Sequence, residues 1–309
     1  MAHEKSFGTI SPQEFRARRE LTDPFVLIDT LPPDHFQKMH IPGAANACVF
    51  EVVFLDHVNR IAPDKGGEVI VYGSDRETLD AVTAAEKLIR AGYGHVKVLE
   101  GGLMQWAASG YELDGEDPAA LEAPEPSVSP HDRTYVIDTE ESILEWVGRN
   151  PNTKHHGTVF LSGGEIVVRD GRIRGRFEID MKTIRNINLE GDPLQPVLIS
   201  HLMSDDFFFV ERFPKAIFHL QSAEPIAGAT STEPNFQVVG VLELHGVKKE
   251  IRFPATASPA EGGEVRIEAH FDMDRTQWDI IYGSARFFKH LGMHLVFDLI
   301  SIQLRMVAR

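Results

Sequence analysis

The sequence predicts a two-domain protein, an α/β domain on a parallel sheet followed by an all-β antiparallel barrel. Three observations carry this. In the first part of the chain, short apolar runs alternate with segments of helical period. In the last part, long stretches alternate apolar and polar residues and are broken by turn dipeptides. Between them, "ELDGEDPAALEAPEPSVSP" (112–130) holds six acidic residues, four prolines and no lysine or arginine, the composition of a stiff, solvated linker. The expected division is 1–113, a linker at 114–132, and 133–309. A chain of 309 residues is long for one hydrophobic core, which agrees with two domains.

In the first domain "FVLID" (25–29), "VIVYG" (69–73) and "HVKVLEG" (95–101) read as buried strands, with helices at 11–19 and 77–91. The second of these helices places Leu79, Val82, Ala85 and Leu88 on one face. Strands separated by helices imply a parallel sheet covered on both sides. In the second domain "GTVFLSGGEIVVRDGRIRGRFEIDM" (157–181) is punctuated by Gly-Gly and Asp-Gly, both hairpin signals. "FQVVGVLELHGVKKEIRFPATA" (236–257) repeats the pattern about its "HGVK" turn, and strands at 265–273 and 294–307 complete a barrel.

Composition excludes several classes of partner. The net charge of −15 argues against nucleic acid and against docking on an anionic membrane surface. No run of eighteen apolar residues occurs, so no transmembrane segment is expected. "MAHEKSFGTISPQEF" has no apolar core of signal-peptide length, and a cytoplasmic location is expected. A single cysteine, Cys48, rules out an intrachain disulfide and a cysteine-rich zinc site.

"SPQEFRAR", "VLIDTLPPDHFQKMHIPGAANA" (26–47), "VIVYG" and "AGYGHVKVLEGGLMQWAASGYEL" (91–113) stand in the order and spacing of the rhodanese-like family, which residues 7–113 resemble. The resemblance implies an anion cradle after the "VIVY" strand, where active members place a nucleophilic cysteine. Here that position is Gly73, followed by Ser74, Asp75, Arg76, Glu77 and Thr78. Two carboxylates in the cradle repel an anionic sulfur donor and raise a thiol's pKa. Ser74 has no histidine beside it in the loop to act as base. Cys48 lies in another segment, and a lone buried cysteine usually serves as a small hydrophobe. The loop therefore reads as vestigial, sulfurtransferase activity is not expected, and the domain is expected to serve interaction with a protein partner, or regulation.

Residues 133–309 resemble the YceI-like family through "YVIDTEESILEWVG" (135–148), "GRIRGRFEIDMKTI" (171–184), "HLMSDDFFFVERFPKAIFHL" (201–220), "GVLELHGVKKEIRFP" (240–254) and "FDMDRTQWDIIYGS" (271–284). The resemblance implies a lipocalin-like barrel holding a long apolar, isoprenoid-type molecule. Alternation along the strands nominates Trp146, Phe177, Ile179, Val239, Leu242, Leu244, Phe271, Trp278 and Phe297 as lining residues. Phe207 and Phe208 belong to an aromatic cluster with Phe209, Phe213 and Phe218 that reads mostly as a plug for one end of the barrel. Arg275 and Tyr282 are the candidates for a polar headgroup at the mouth.

Histidines offer a rival signal. His156, His201 and Asp205 form a candidate metal set, and His290 and His294 stand four apart across a glycine, which suits a metal only on a helix. "HLMSDD" reads rather as a capped turn, with Ser204 or Asp205 satisfying backbone amides. The expected function is that of a carrier whose only bound group is an isoprenoid or other lipid. The alternatives are a metal- or Cys48-dependent enzyme acting on the barrel's ligand, and a fully packed barrel that acts through its surface.

Overall fold

The computed structural model describes residues 7–21, 24–118, 131–230 and 232–309. The chain divides into two compact units, Met1–Pro124 and Glu125–Arg309.

The first unit runs β1 (Gly8–Ile10), α1 (Pro12–Arg18), β2 (Phe25–Asp29), α2 (Pro33–Lys38), β3 (Ala45–Asn46), α3 (Phe54–Ile61), β4 (Glu68–Tyr72), α4 (Asp80–Arg90), β5 (His95–Leu99) and α5 (Gly102–Ala108). Its five strands form one parallel sheet in the order β1-β5-β4-β2-β3. Alternate residues of the central strands serve opposite faces: Ile28, Val69 and Val71 pack with α3 and α4, while Leu27, Ile70 and Tyr72 pack with Phe15 of α1 and Trp106 of α5. Local chemistry starts α1. Ser11 and Glu14 form a reciprocal capping box, and Pro12 occupies the first turn, where its missing N–H costs nothing. The helix expected from 77 begins only at Asp80, leaving 73–79 as a loop after β4.

Much of the expected linker, 119–130, lies outside the described residues. Its described beginning is bound to the first unit. His40 and Asp114 exchange backbone hydrogen bonds of 2.8 and 2.9 Å, and the amides of Glu116 and Asp117 donate to the carbonyls of Gln37 and Lys38.

The second unit runs β6 (Thr134–Arg149), β7 (Lys154–Arg169), β8 (Arg172–Asn186), α6 (Leu194–Met203), β9 (Lys215–Pro225), β10 (Phe236–Leu244), β11 (Val247–Pro259), β12 (Val265–Asp274) and β13 (Leu299–Ala308). The eight strands close into an antiparallel barrel in the order β10-β11-β12-β13-β6-β7-β8-β9. Asp170–Gly171 and His245–Gly246 have positive φ at both positions (51° and 71°, 53° and 76°), the paired left-handed conformation that tight hairpins require. Gly163–Gly164, by contrast, makes no turn. It lies inside β7, where the register with β8 shifts, and a Cβ on Gly164 would meet Phe177 at 2.9 Å. The pair lets the strand bend past a large side chain, as glycines at bulges do.

Sequence alternation did not reveal α6, because its face is apolar nearly all round. The final strand also begins later than expected, at Leu299, since 275–298 forms a long connection with two short 3-10 turns.

Candidate functional site

The antiparallel order sends the β6–β7, β8–β9, β10–β11 and β12–β13 connections to one end of the barrel. The two long ones, 187–214 with α6 and 275–298, crowd that end and frame the mouth of an interior cavity of about 440 Å³. This is within the size range of small-molecule sites, roughly 300–1,000 Å³. Its wall is aliphatic and aromatic. An aromatic ladder crosses it: Phe177 stacks near Phe218 at 6.1 Å, Phe218 meets Phe253 at 5.8 Å, and Phe253 stacks on Phe271 at 4.3 Å. Trp146 joins the wall with its indole N–H buried and without a hydrogen-bond partner among the described residues.

The polar residues that reach the cavity belong to the mouth end. Arg149 comes from the end of β6, Asn150 from the β6–β7 turn, His155 from the start of β7, His201 from α6, and Tyr282 and His294 from the 275–298 connection. The His201 ring sits edge-on to Tyr282 at 4.6 Å and to Phe207 at 4.9 Å, and its Nε2 lies 3.0 Å from Asp206. The Tyr282 hydroxyl is 3.2 Å from His294 Nδ1. No aspartate or glutamate side chain is among the lining residues.

Arg275 is only 1% exposed, and its guanidinium is committed to the protein. It donates to the carbonyls of Ile280 (2.6 Å), Val296 (3.1 Å) and Phe297 (3.2 Å), with Asp298 at 3.7 Å. Burial pulls its pKa down, and Asp298 and Asp274 push it back up. Asp274 holds the same connection from its start, accepting from the amide and hydroxyl of Thr276 and from Arg286. Partial burial raises the Asp274 pKa, but these donors outweigh it and hold the carboxyl below the usual range.

In the first unit, the loop after β4 closes on itself. The Ser74 amide donates to Asp80 Oδ2 (3.1 Å), those of Glu77 and Thr78 to Asp75 Oδ1 (2.8 and 3.0 Å), and that of Asp75 to Thr78 Oγ1 (3.4 Å). A Cβ on Gly73 would lie 2.7 Å from Asp80 Oδ2 and 2.8 Å from Asp80 Cβ. Behind the loop, Gly102 at φ 57° passes so near that an added Cβ would meet the Gly73 carbonyl at 2.4 Å. Arg76, Glu77 and Thr78 are exposed, and Cys48 is buried between β3 and α3.

Comparison with known proteins agrees with this geometry. Residues 135–308, more than half of the chain, match the family model described as the YceI-like domain. The chain belongs to the YceI-like family. Residues 11–109 match the rhodanese-like domain, so a rhodanese-like unit precedes the YceI-like barrel. The rhodanese-like part is 31% identical over 106 residues to the adenylyltransferase and sulfurtransferase UBA4 of Candida albicans, covering 32% of this chain and 23% of that protein. The chain thus spans about a quarter of the length of that curated relative. The YceI-like part is similar in fold to BcnA of Burkholderia cenocepacia (18% identity, TM-score 0.45, 56% of this chain and 99% of that one). It is also similar to a polyisoprenoid binding domain from Saccharophagus degradans (14% identity, TM-score 0.43, 57% and 97%).

Within the YceI-like barrel, the structure places Trp146, Phe177, Ile179, Leu242, Leu244 and Phe271 on the cavity wall. Phe207, Phe208, Tyr282 and Phe297 stand toward its mouth. Trp278 is fully buried elsewhere, its indole N–H donating to the Leu242 carbonyl at 2.9 Å. Val239 points outward, because β10 turns Phe236, Val238, Leu242 and Leu244 inward and Val239 has the opposite parity. Arg275 borders the cavity as a staple for the 275–298 connection and does not stand free at its mouth.

The candidate metal set does not assemble. His156 lies on the outer face of β7, Asp205 is exposed, and His201 pairs with Asp206 instead. Among the described residues, no three His, Cys, Asp or Glu side chains gather as a metal site. Ser204 caps the end of α6, its hydroxyl donating to the His201 carbonyl and accepting from the Asp206 amide. Sequence reading noted His155 only as a histidine preceding a strand and passed over Asn150, since a polar turn residue aimed inward looks like any other turn residue. No helix among the described residues is long and apolar enough to cross a membrane.

Proposed function

We propose that the YceI-like barrel carries a long apolar molecule of isoprenoid or related lipid type. The rhodanese-like domain, in this reading, performs no sulfur transfer and serves interaction or regulation. The observation that carries the first statement is the closed barrel around a cavity of about 440 Å³ whose wall is apolar as far as the mouth. At ~30 Å³ per small group this is room for at least roughly fifteen carbons. Burying them at ~0.8 kcal/mol each gives on the order of 12 kcal/mol before the cost of association, which is of similar size. A ligand of this kind needs few polar contacts, and the mouth offers few.

The second statement is supported by the loop after β4. Gly73 supplies no nucleophile, and the amides of Ser74, Glu77 and Thr78 already satisfy the carboxylates of Asp80 and Asp75. An incoming anionic sulfur would have to displace both carboxylates.

The test is native mass spectrometry of the protein purified without detergent, before and after organic extraction, with metal analysis of the same sample. The expected result is a bound mass that extraction removes and that fragments as a prenyl or acyl chain, retained in Cys48→Ala. Lipid-free protein carrying stoichiometric zinc, iron or copper overturns the reading.

A further inference from the structure

The barrel cavity is open at one end and blind at the other. At the mouth, Met293 (90% exposed) and Phe297 (45%) line the cavity and also face solvent. Every charged, amide and imidazole side chain on the wall belongs to this end, from Arg149 and Asn150 round to His294. At the opposite end, where the β7–β8, β9–β10 and β11–β12 connections lie, Tyr135, Val168, Phe236, Met306 and Ala308 make the wall. None of these five is more than 6% exposed, and the Arg133 guanidinium lies over the Tyr135 ring at 4.1 Å.

The wall changes character along its length. Phe253 and Phe271 stack across β11 and β12. The next inward positions toward the blind end are Ala255 and Ala257 on β11 and Ala269 on β12. Antiparallel pairing sets Ala257 beside Ile267, and Ile267 beside Met306. Small side chains there leave the space beyond the two rings unfilled, where further phenylalanines would close it.

Depth and volume agree on what fits. From Ile300 to Ala308 on β13, and from Met273 to Val265 on β12, the wall runs for eight residue steps. At ~3.4 Å per residue and a strand tilt of roughly 40°, the depth is about 20 Å. An extended chain advances ~1.2 Å per bond, so about sixteen carbons span that depth. The volume of about 440 Å³ seats roughly fifteen carbons. The two counts coincide for one chain in single file, and a second chain has no room.

We propose that the cavity is a single-chain, length-limited site. Its cargo has one apolar tail, of which about fifteen carbons lie inside with the head at the mouth. The floor formed by Ala257, Ile267 and Met306 sets how much tail is accepted, and lipids with two chains are excluded. The inference rests on the carrier reading and adds to it the number and length of chains.

The test is binding of straight-chain primary alcohols to the full-length protein, delipidated over a hydrophobic resin. Binding is read by displacement of the fluorescent apolar probe N-phenyl-1-naphthylamine. Affinity is expected to rise about fourfold per added methylene and to level off near about sixteen carbons. Ala257→Leu puts extra carbons on the floor and is expected to bring the break about three carbons earlier, with the shortest alcohols bound as in wild type. Ile267→Phe, from the neighbouring strand, should move the break in the same direction. Urea midpoints establish that each variant is folded.

A break that the folded variants shift upholds the floor. Affinity that climbs through the whole series, or a break that neither variant moves, overturns it and leaves the carrier reading standing. A diacyl lipid as the stoichiometric extractable ligand of the purified protein also overturns it. Failure of the probe and of every alcohol to bind defeats the carrier reading, and the floor with it.

Discussion

Replacing Gly148 by leucine tests whether the barrel cavity holds the ligand, because it alters the cavity with little expected change to the fold. Gly148 lies near the end of β6, two residues from Trp146 and with the same inward parity, and it lines the cavity. An added Cβ there meets nothing within 4 Å. Leucine adds four carbons to glycine, and they enter space that the ligand would otherwise use. At ~0.8 kcal/mol per buried carbon, the displaced ligand carbons are worth roughly 3 kcal/mol, or about 200-fold in affinity. Stability should hold or rise by up to about 1 kcal/mol, since glycine in a strand is conformationally costly. The assay is fractional occupancy by native mass spectrometry, read beside urea unfolding of the same preparation. Unchanged occupancy in a Gly148→Leu protein of unchanged stability refutes a ligand at this end of the cavity.

Gly157 is the contrasting glycine: a Cβ there would lie 1.7 Å from the Arg185 carbonyl oxygen, so Gly157→Ala should lower the denaturant midpoint of the barrel markedly, where Gly148→Leu does not. Arg275→Met leaves three carbonyls without their donor while Asp298 keeps Arg286, and a loss of about 3 kcal/mol or more is expected in urea unfolding. Gly73→Cys alone should show no thiosulfate:cyanide sulfurtransferase activity, because Asp80 occupies the space beside it; a measurable rate should require Asp80→Ala as well, and activity in the single variant would show the cradle to be open. Two aspartates should respond to pH in opposite senses. Desolvation raises the pKa of the buried Asp29 above its unfolded value, so its ionised form costs stability at neutral pH, and the cost disappears as pH falls through the folded pKa. Asp274 is depressed, so its contribution is present above the unfolded value and is lost as pH falls through the folded pKa; acid unfolding of Asp29→Asn and Asp274→Asn should change slope in opposite directions.

Both halves of the fold were legible in the sequence because period speaks directly to secondary structure. Continuous apolar runs such as Val69–Tyr72 have no solvent face and announce a covered parallel sheet. Asp170–Gly171 and His245–Gly246 announce hairpins, because few other residue pairs take two consecutive positive φ angles without strain. Gly163–Gly164 was misread on the same logic. A glycine pair reports permissive backbone, and whether that is spent on a turn or on bending past Phe177 depends on a partner strand the pair does not reveal.

The candidate site was legible only in part. The wall positions Leu242 and Leu244 follow from parity, and Val239, in the same apolar run, has the opposite parity and points outward. Trp278 and Arg275 look in sequence like ligand-facing residues, an indole and a cation beside the mouth. The structure uses both as fasteners, for the Leu242 carbonyl and for the backbone of the 275–298 connection.

By itself, the sequence determined the two domains, the covered sheet, the antiparallel barrel and the glycine where a nucleophile would stand, for these rest on local period, turn chemistry and residue identity. Only the tertiary structure decided that the barrel encloses space, that Asp80 and Asp75 satisfy the loop amides, and that the mouth joins β6–β7, α6 and 275–298. Those properties belong to distances between segments far apart in the chain. A cavity is volume that no residue fills, and no single residue records it.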